Sequence, residues 1–573
     1  MKKYISVFAV GALAMLSVTS CDGLLNKAPL DSFADSNYWT SEANVEVYAN
    51  TFFNNFIGYG NQGGSGSYYF PTLNDNQCGA GFVDWNYNNV LTVNTAAWNN
   101  PYTEIRRANI MLARLEGMNL SETAKAHWTG VARLMRGLQY YWLVRTFGDV
   151  PLVDRELSVS DEAVFGPRTD RDLVMDFALE DLNYAVSNIK DVATKTSWSR
   201  NLAQAIKSEV CLYEGTYSKY RVAADGQKAP DATRANKYLT ESKTASSALM
   251  AKFSTLNASY QANYNSLDLA KNPEMIFYKH YVKDLFMHSL PDYTCSSSQQ
   301  YGMTKDAFNA YLFTDGKPKA STTLDNTDVP ATLAADGIHL DLTPLLAVRD
   351  PRLAASVDKV VMPVSAGFKG RLGRSDDVEM TSSTGYGVFK FDSAELADGY
   401  RVETGKNYTD APLYWLSVIY LNYAEACAEL GSCTQTDLDN SVNKLRDRVH
   451  MPHMVVSPAA DPANNMGVSA LIWEIRRERR VELMYDGNFR FWDLMRWHQL
   501  DKLDTHLYLD VKLGANLTNA ASQITEEVTV DNEGYIIAYP NHDRIYESKY
   551  YAYPIPTSQI AINKALTQNE GWK

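Results

Sequence analysis

Apolar residues recur at steps of three and four through much of the first half of this chain. Trp128, Val131, Met135, Leu138 and Trp142 form one series, and Ala203, Ile206, Val210, Tyr213 and Tyr217 another. A repeat of this kind puts each series on one face of a helix. The first helix is expected to stop at Phe147-Gly148-Asp149-Val150-Pro151, because glycine tolerates the backbone of a helix end and proline cannot continue the ladder. A further helix is expected from Thr169-Asp170, burying Leu173, Phe177, Leu182, Ala185 and Ile189. Helical periodicity returns after residue 412, with Leu438, Val442, Leu445 and Val449 as a stripe. Successive helices of this length suggest antiparallel pairs and a tetratricopeptide-like superhelix, although the usual repeat signature is not legible.

Two stretches break the helical pattern. Residues Gly58 to Asn94 are rich in Gly, Asn and aromatics, and from about Ala251 to Ala411 the periodicity weakens while Gly, Pro, Asp, Ser and Thr become common. Such composition reads as long loops carrying short strands and turns. Loops of this length inside a compact body are usually functional insertions.

The segment from Ile475 to Trp497, IRRERRVELMYDGNFRFWDLMRW, interleaves arginines, carboxylates and bulky rings. Glu474, Glu478 and Glu482 recur every fourth residue, so their Cβ atoms would lie about 5–6 Å apart on one helix face. Two carboxyls at such a spacing could serve a retaining glycosidase. Arg476, Arg477, Arg479 and Arg480 surround them, however, and neighbouring cations lower a carboxyl pKa and spoil a general acid. The turn Tyr485-Asp486-Gly487-Asn488 would fold a second helix, carrying Phe491, Trp492, Leu494 and Trp497, back onto the first. Arginine stems can then lie over the rings while their heads fork onto the carboxylates. Scaffold is the better reading.

The beginning of the chain changes the picture of compartment and partner. Lys2 and Lys3 precede an apolar run from Tyr4 to Leu16, then Ser17-Val-Thr-Ser20 and Cys21. This is an export signal over residues 1–20, too short for a transmembrane helix, and its ending resembles a bacterial lipobox in which Cys21 takes a lipid anchor. Without those residues 52 basic side chains face 67 acidic ones, a net charge of −15 against −13 for the whole chain. Export and an acidic balance exclude nucleic acid as partner and leave the acyl chains as the attachment to the membrane. The remaining cysteines are Cys78, Cys211, Cys295, Cys427 and Cys433, an odd number that implies no disulfide framework. Cys211 and Cys427 read as apolar fillers of helices; Cys78 and Cys295 lie in polar surroundings and could pair.

Most chemical motifs fail on context. Gly58-Tyr-Gly-Asn-Gln-Gly63 matches a dinucleotide fingerprint but follows a helical run instead of a strand. His450 and His453 flank Pro452, with no further metal ligands in a helical register, so neither metal nor cofactor is implied. No nucleophile elbow or phosphate loop is found. What remains is loop chemistry. A sugar ring offers apolar faces to aromatic rings and a rim of hydroxyls to polar side chains. Tyr68, Tyr69, Trp85 and Tyr87 supply rings, and Asn74, Asp75, Asn76 and Asn86 supply polar partners. A second aromatic stretch running to Tyr293 and Tyr301 offers the same combination.

Several stretches together resemble the SusD/RagB family of surface lipoproteins. They are AWNNPYTEIRRANIML (97–112), LMRGLQYYWLVRTFGDVPLV (134–153), APLYWLSVIYLNYAEACAELG (411–431), the arginine-rich segment, and YYAYPIPTSQIAINKALTQNEGW (550–572). The resemblance implies a mainly α fold for residues 21–573 as one domain, with tetratricopeptide-like helix pairs forming a superhelical scaffold under a loop-rich irregular face. It also implies a non-enzymatic protein of the outer-membrane surface. Such a protein binds glycan and delivers it to a partner SusC-like TonB-dependent transporter. The ligand residues are not carried by the resemblance, whose motifs are scaffold. An oligopeptide-binding RagB-type component and a surface glycoside hydrolase are the competing readings.

Overall fold

A computed structural model describes residues 38–572, apart from 62–65, 67, 69–73, 80–90, 296–300, 331, 336–338, 364–380, 402, 488 and 521–527. The export signal, Cys21, Tyr69, Trp85, Asn86 and Tyr87 fall outside the described residues.

The first half is built of α1 (Glu42–Asn50), α2 (Ala96–Gly117), α3 (Glu122–Phe147), α4 (Arg171–Asn188), α5 (Arg200–Tyr220) and α6 (Ala232–Lys252). Each of the five long helices starts on a residue whose side chain accepts from an early backbone N–H: Thr95, Ser121, Asp170, Ser199 and Asp231. Each helix packs on the next in sequence, α2 on α3, α3 on α4, α4 on α5 and α5 on α6, with α2 and α3 joined by residues 118–121 alone. The protein is mainly α, a tetratricopeptide-like stack of helix pairs. Close approach is set by small residues. A Cβ on Gly215 would lie 2.8 Å from the Leu239 side chain, and one on Gly137 would lie 3.0 Å from the Ala178 carbonyl.

The stripes of α3 and α5 are buried as expected, except that Trp142 is only half-buried. Helix α3 ends at Gly148, whose φ of +73° is open to glycine at no steric cost and whose N–H donates to the Val144 carbonyl. In α4 the expected Leu182, Ala185 and Ile189 are buried and Phe177 is half-buried, and only Leu173 departs from the expected face. Leu173 is 60% exposed, while Val174, Ala178, Leu182 and Ala185 are buried. Asp181 shares that buried face, held by Arg133 at 2.6 Å and Arg136 at 2.8 Å.

Later in the chain α7 (Leu416–Glu429), α8 (Val442–Arg448), α9 (Ala470–Glu482) and α10 (Phe489–Arg496) complete the helical body, with α7 lying against α6 and α9. Between α6 and α7 the chain forms short strands and turns, as the weak periodicity predicts. Strand β2 (Met275–Lys279) pairs antiparallel with β4 (Ala411–Trp415). Strand β1 (Gln77–Gly79) pairs antiparallel with β3 (Tyr301–Met303), placing Cys78 opposite Gly302. The two irregular stretches are thus stitched to each other. One apolar core runs from Val45 to Trp572 and takes in residues from both.

Buried charge ties the helices together. Glu214, fully buried on α5, accepts from Arg171 of α4 and Arg234 of α6, each at 2.8 Å. On α9, Glu478 is ion-paired to Arg352 and Arg446, both at 2.7 Å, and Glu482 to Arg352 at 2.9 Å and to Arg448. Burial alone would raise the Glu482 carboxyl; Arg448 and Arg352 outweigh it and bring the pKa down to about 2. Glu474 departs from the expectation: burial raises its pKa, and Arg477 and Arg446 offset this only in part. Trp497 lies beneath the Arg476 guanidinium at 4.4 Å, as the folded-back helix requires.

Cys78 is a buried free thiol, so the pairing with Cys295 is not formed. Burial pushes its pKa up to about 12, with Arg544 and Lys512 opposing. The native protein is expected to leave Cys78 unlabelled by a thiol reagent and to label it after urea, read by peptide mass spectrometry. Fast labelling of native Cys78 would contradict this burial. Cys211 and Cys427 are buried in helices as expected. His453 bonds Asp447 at 2.6 Å on the surface, and no cluster suited to a metal occurs among the described residues. Nor is any described helix long and apolar enough to cross a membrane.

Candidate functional site

A pocket of about 380 Å³ opens where α3, α5, α10 and β4 meet the first irregular stretch. Helix α3 contributes Tyr141, Trp142 and Arg145; α5 contributes Glu209 and Tyr213; β4 contributes Tyr414; and α10 contributes Trp492 and Asp493. Ile57, Gly58 and Tyr68 bring the irregular stretch to its wall. Its chemistry is a ring-lined hollow with polar groups between the rings.

Those polar groups are only partly committed. Glu209 accepts from the Tyr414 hydroxyl at 3.0 Å and the Tyr141 hydroxyl at 3.5 Å. Burial raises the Tyr414 pKa well above normal, with the Glu209 charge adding to it, so this phenol stays a donor. Arg145 lies over Trp492 at 4.1 Å and over Tyr141 at 4.8 Å, which covers those faces. Trp142 carries no such cover among the described residues. Asp493 is held by Arg479 and Arg496 at 2.8 and 2.7 Å. The buried Arg145 Nε and Tyr213 hydroxyl have no hydrogen-bond partner among the described residues. Flat rings, free donors and no exposed carboxylate pair suit recognition of a hydroxyl-rich, flat-faced ligand.

The residues expected from the loops divide. Tyr68 lines the pocket but is buried edge-on to Tyr59 at 4.7 Å, and its hydroxyl donates to the Pro412 carbonyl at 2.9 Å, so it is a wall and offers no open stacking face. Asn74 and Asp75 are corrected from ligand partners to scaffold. The Asn74 Oδ1 accepts from the backbone N–H of Asn76 and Gln77 at 2.8 and 3.0 Å, shaping the turn into β1. Asp75 is clasped by both forks of Arg490 at 2.7 Å; despite burial, Arg480 and Arg490 hold its carboxyl well below the usual range. A carboxylate this buried requires that partner. Tyr301 is buried in β3 opposite Gly79, and Tyr293 is half-buried in the helix Leu290–Cys295.

Sequence reasoning missed Tyr141, Trp142, Arg145, Glu209, Tyr414 and Trp492. A signal was there: Tyr140-Tyr141-Trp142 puts three successive rings on a helix, more than one buried stripe can absorb.

Residues 252–572, more than half of the chain, match the family model described as the SusD family. The chain belongs to the SusD family. Residues 30–212 of this SusD-family chain match a second model, described as "Starch-binding associating with outer membrane". A SusD-like protein of Bacteroides ovatus is 26% identical over 221 residues, which is 36% of this chain and 39% of that one. A SusD-like protein of Formosa agariphila is 29% identical over 141 residues, 24% of this chain and 27% of its own. The chain therefore spans well under half the length of these curated relatives. Among solved structures, a SusD-like carbohydrate-binding protein of Bacteroides fragilis superposes with a TM-score of 0.69 at 20% identity, covering 92% of this chain and 100% of that one. A laminarin-binding SusD-like protein gives 0.52 at 18% identity, covering 93% and 100%. At such identities the likeness is one of fold.

Proposed function

We propose that this SusD-family protein binds oligosaccharide or polysaccharide at the cell surface without cleaving it. The bound glycan is then passed to a SusC-like TonB-dependent transporter, the protein being held to the outer membrane by lipid on Cys21. The observation that carries the reading is the ring-lined pocket, where the half-buried Trp142 stands beside buried donors that lack partners among the described residues. Sugar C–H faces stack on such a ring while hydroxyls satisfy the donors. Tyr69, Trp85, Tyr87 and Tyr293 are proposed as further contacts from the irregular stretches. The laminarin-binding neighbour and the starch-binding description of the matching model support the ligand class.

The test is native electrophoresis of the folded protein through gels containing starch, laminarin or other neutral glycans. Retarded migration with the polymer recovered intact is the expected result. Binding to peptides alone would move the protein to the oligopeptide branch, and newly released reducing ends would make it a hydrolase. Cys21→Ala is expected to shift the protein from the membrane to the soluble fraction of cells; retention at the membrane would reject the lipid anchor.

A further inference from the structure

A second cavity, of about 720 Å³, lies beside α9 between residues 461–466 and 502–511. Its walls carry two more cationic side chains than carboxylates, in a chain whose net charge is −13. Arg490 and Arg480 are spent on Asp75 and Asp306. Arg477 and Arg476 are not fully engaged. Arg477 is ion-paired to Asp461 through one amine, but its buried Nη1 has no hydrogen-bond partner among the described residues. Arg476 gives one amine to Glu429 at 3.2 Å and the other to the Met466 Sδ at 3.7 Å, and its Nε is without a partner among the described residues. These side chains are 1% and 7% exposed, respectively for Arg476 and Arg477. An unpaired donor on a buried cation costs free energy that an anion would recover.

Two other features narrow the ligand. The half-buried Trp473 lies at the wall with the Arg477 guanidinium over one of its faces, 5.5 Å from the ring centroid, so a ligand would have to rest on the opposite face. The buried Asn309 Oδ1, also at the wall, is an acceptor without a partner among the described residues. A bare inorganic anion could neutralise the arginines, but it has no hydroxyl to give to Asn309 and no ring to lay on Trp473. We infer that this cavity is a binding site for an acidic sugar unit of the uronate class. Its carboxylate meets Arg477 and Arg476, a hydroxyl donates to Asn309, and its C–H face rests on Trp473. The site is separate from the ring-lined pocket and does not depend on it.

The experiment is calorimetric titration of the whole folded protein, made without its acyl anchor, with glucuronate, galacturonate, glucose and inorganic sulfate in turn. Binding of at least one uronate, with no heat from glucose or sulfate, is the expected result. Arg477→Lys keeps a cation beside Asp461 but removes the fork, and Asn309→Ala removes the carboxamide with its unpartnered acceptor. Each is expected to weaken uronate binding about tenfold or more, while retardation by neutral glycan stays as in the parent. Equal heats for sulfate and uronate, no heat for any uronate, or unchanged affinity in both folded variants would overturn the inference. Loss of neutral-glycan binding with uronate binding intact would instead strike the reading given under Proposed function.

Discussion

Glu482→Ala is expected to destabilise the protein by about 3–5 kcal/mol, read as a lower urea midpoint, because it takes away the carboxylate that two buried guanidinium groups share and leaves Arg352 to Asp350 and Glu478 and Arg448 to Glu274 alone. Glu482 is fully buried between Arg352 and Arg448, which are almost as deeply buried. Removing one member of such a network strands the others in low dielectric, where solvent cannot take over. Glu403, half-exposed and paired with the half-exposed Lys406, is the control: Glu403→Ala is expected to change stability by no more than about 0.5 kcal/mol. Equal midpoints for the two variants would show that the network does not hold the helices. The same group sets an acid limit. Its folded pKa of about 2 lies below the ordinary 4.5, so its contribution is fully present above pH 4.5 and is lost as pH falls through 2. Asp486 works in the opposite sense. Burial, only partly opposed by Lys390, raises it from 3.8 to about 6, so its contribution is present below 3.8 and lost as pH rises through 6. The acid loss of stability should therefore be smaller in Glu482→Gln than in the parent protein.

Trp142→Ala is expected to weaken neutral-glycan binding by about 1–3 kcal/mol, a magnitude taken from the stacking of flat rings on aromatic side chains. Of the pocket rings, Trp492 and Tyr141 lie beneath Arg145, whereas Trp142 is only half-buried, so its loss should cost binding more than folding. Trp85→Ala is expected to have an effect of the same size if Trp85 is a stacking platform for the ligand. Affinity gels run at several glycan concentrations, with circular dichroism to establish folding, decide between them. A folded Trp142→Ala that is retarded like the parent would remove α3 from the site.

The two irregular stretches were legible as such, and the arginine-rich segment was rightly read as ion-paired structure. Individual ligand candidates were not. Asp75 is an isolated acid within a polar loop by sequence, and only the fold brings Arg490 and Arg480 to it across the chain. Tyr301 and Asn74 look available in a loop, yet strand pairing and turn bonding bury both.

Sequence alone determined the helical class, the buried stripes of α3 and α5, the end of α3 and the start of α4, and the character of the two insertions. All of these depend on residues near one another along the chain, through a 3.6-residue repeat or a side chain reaching its own backbone. Tertiary structure decided the rest: which acids are matched to which arginines, that β1 joins β3, and that rings from α3, α5, α10 and β4 line one pocket. Those outcomes depend on groups far apart in sequence, whose pairing is fixed by burial and close approach and leaves no local pattern to read.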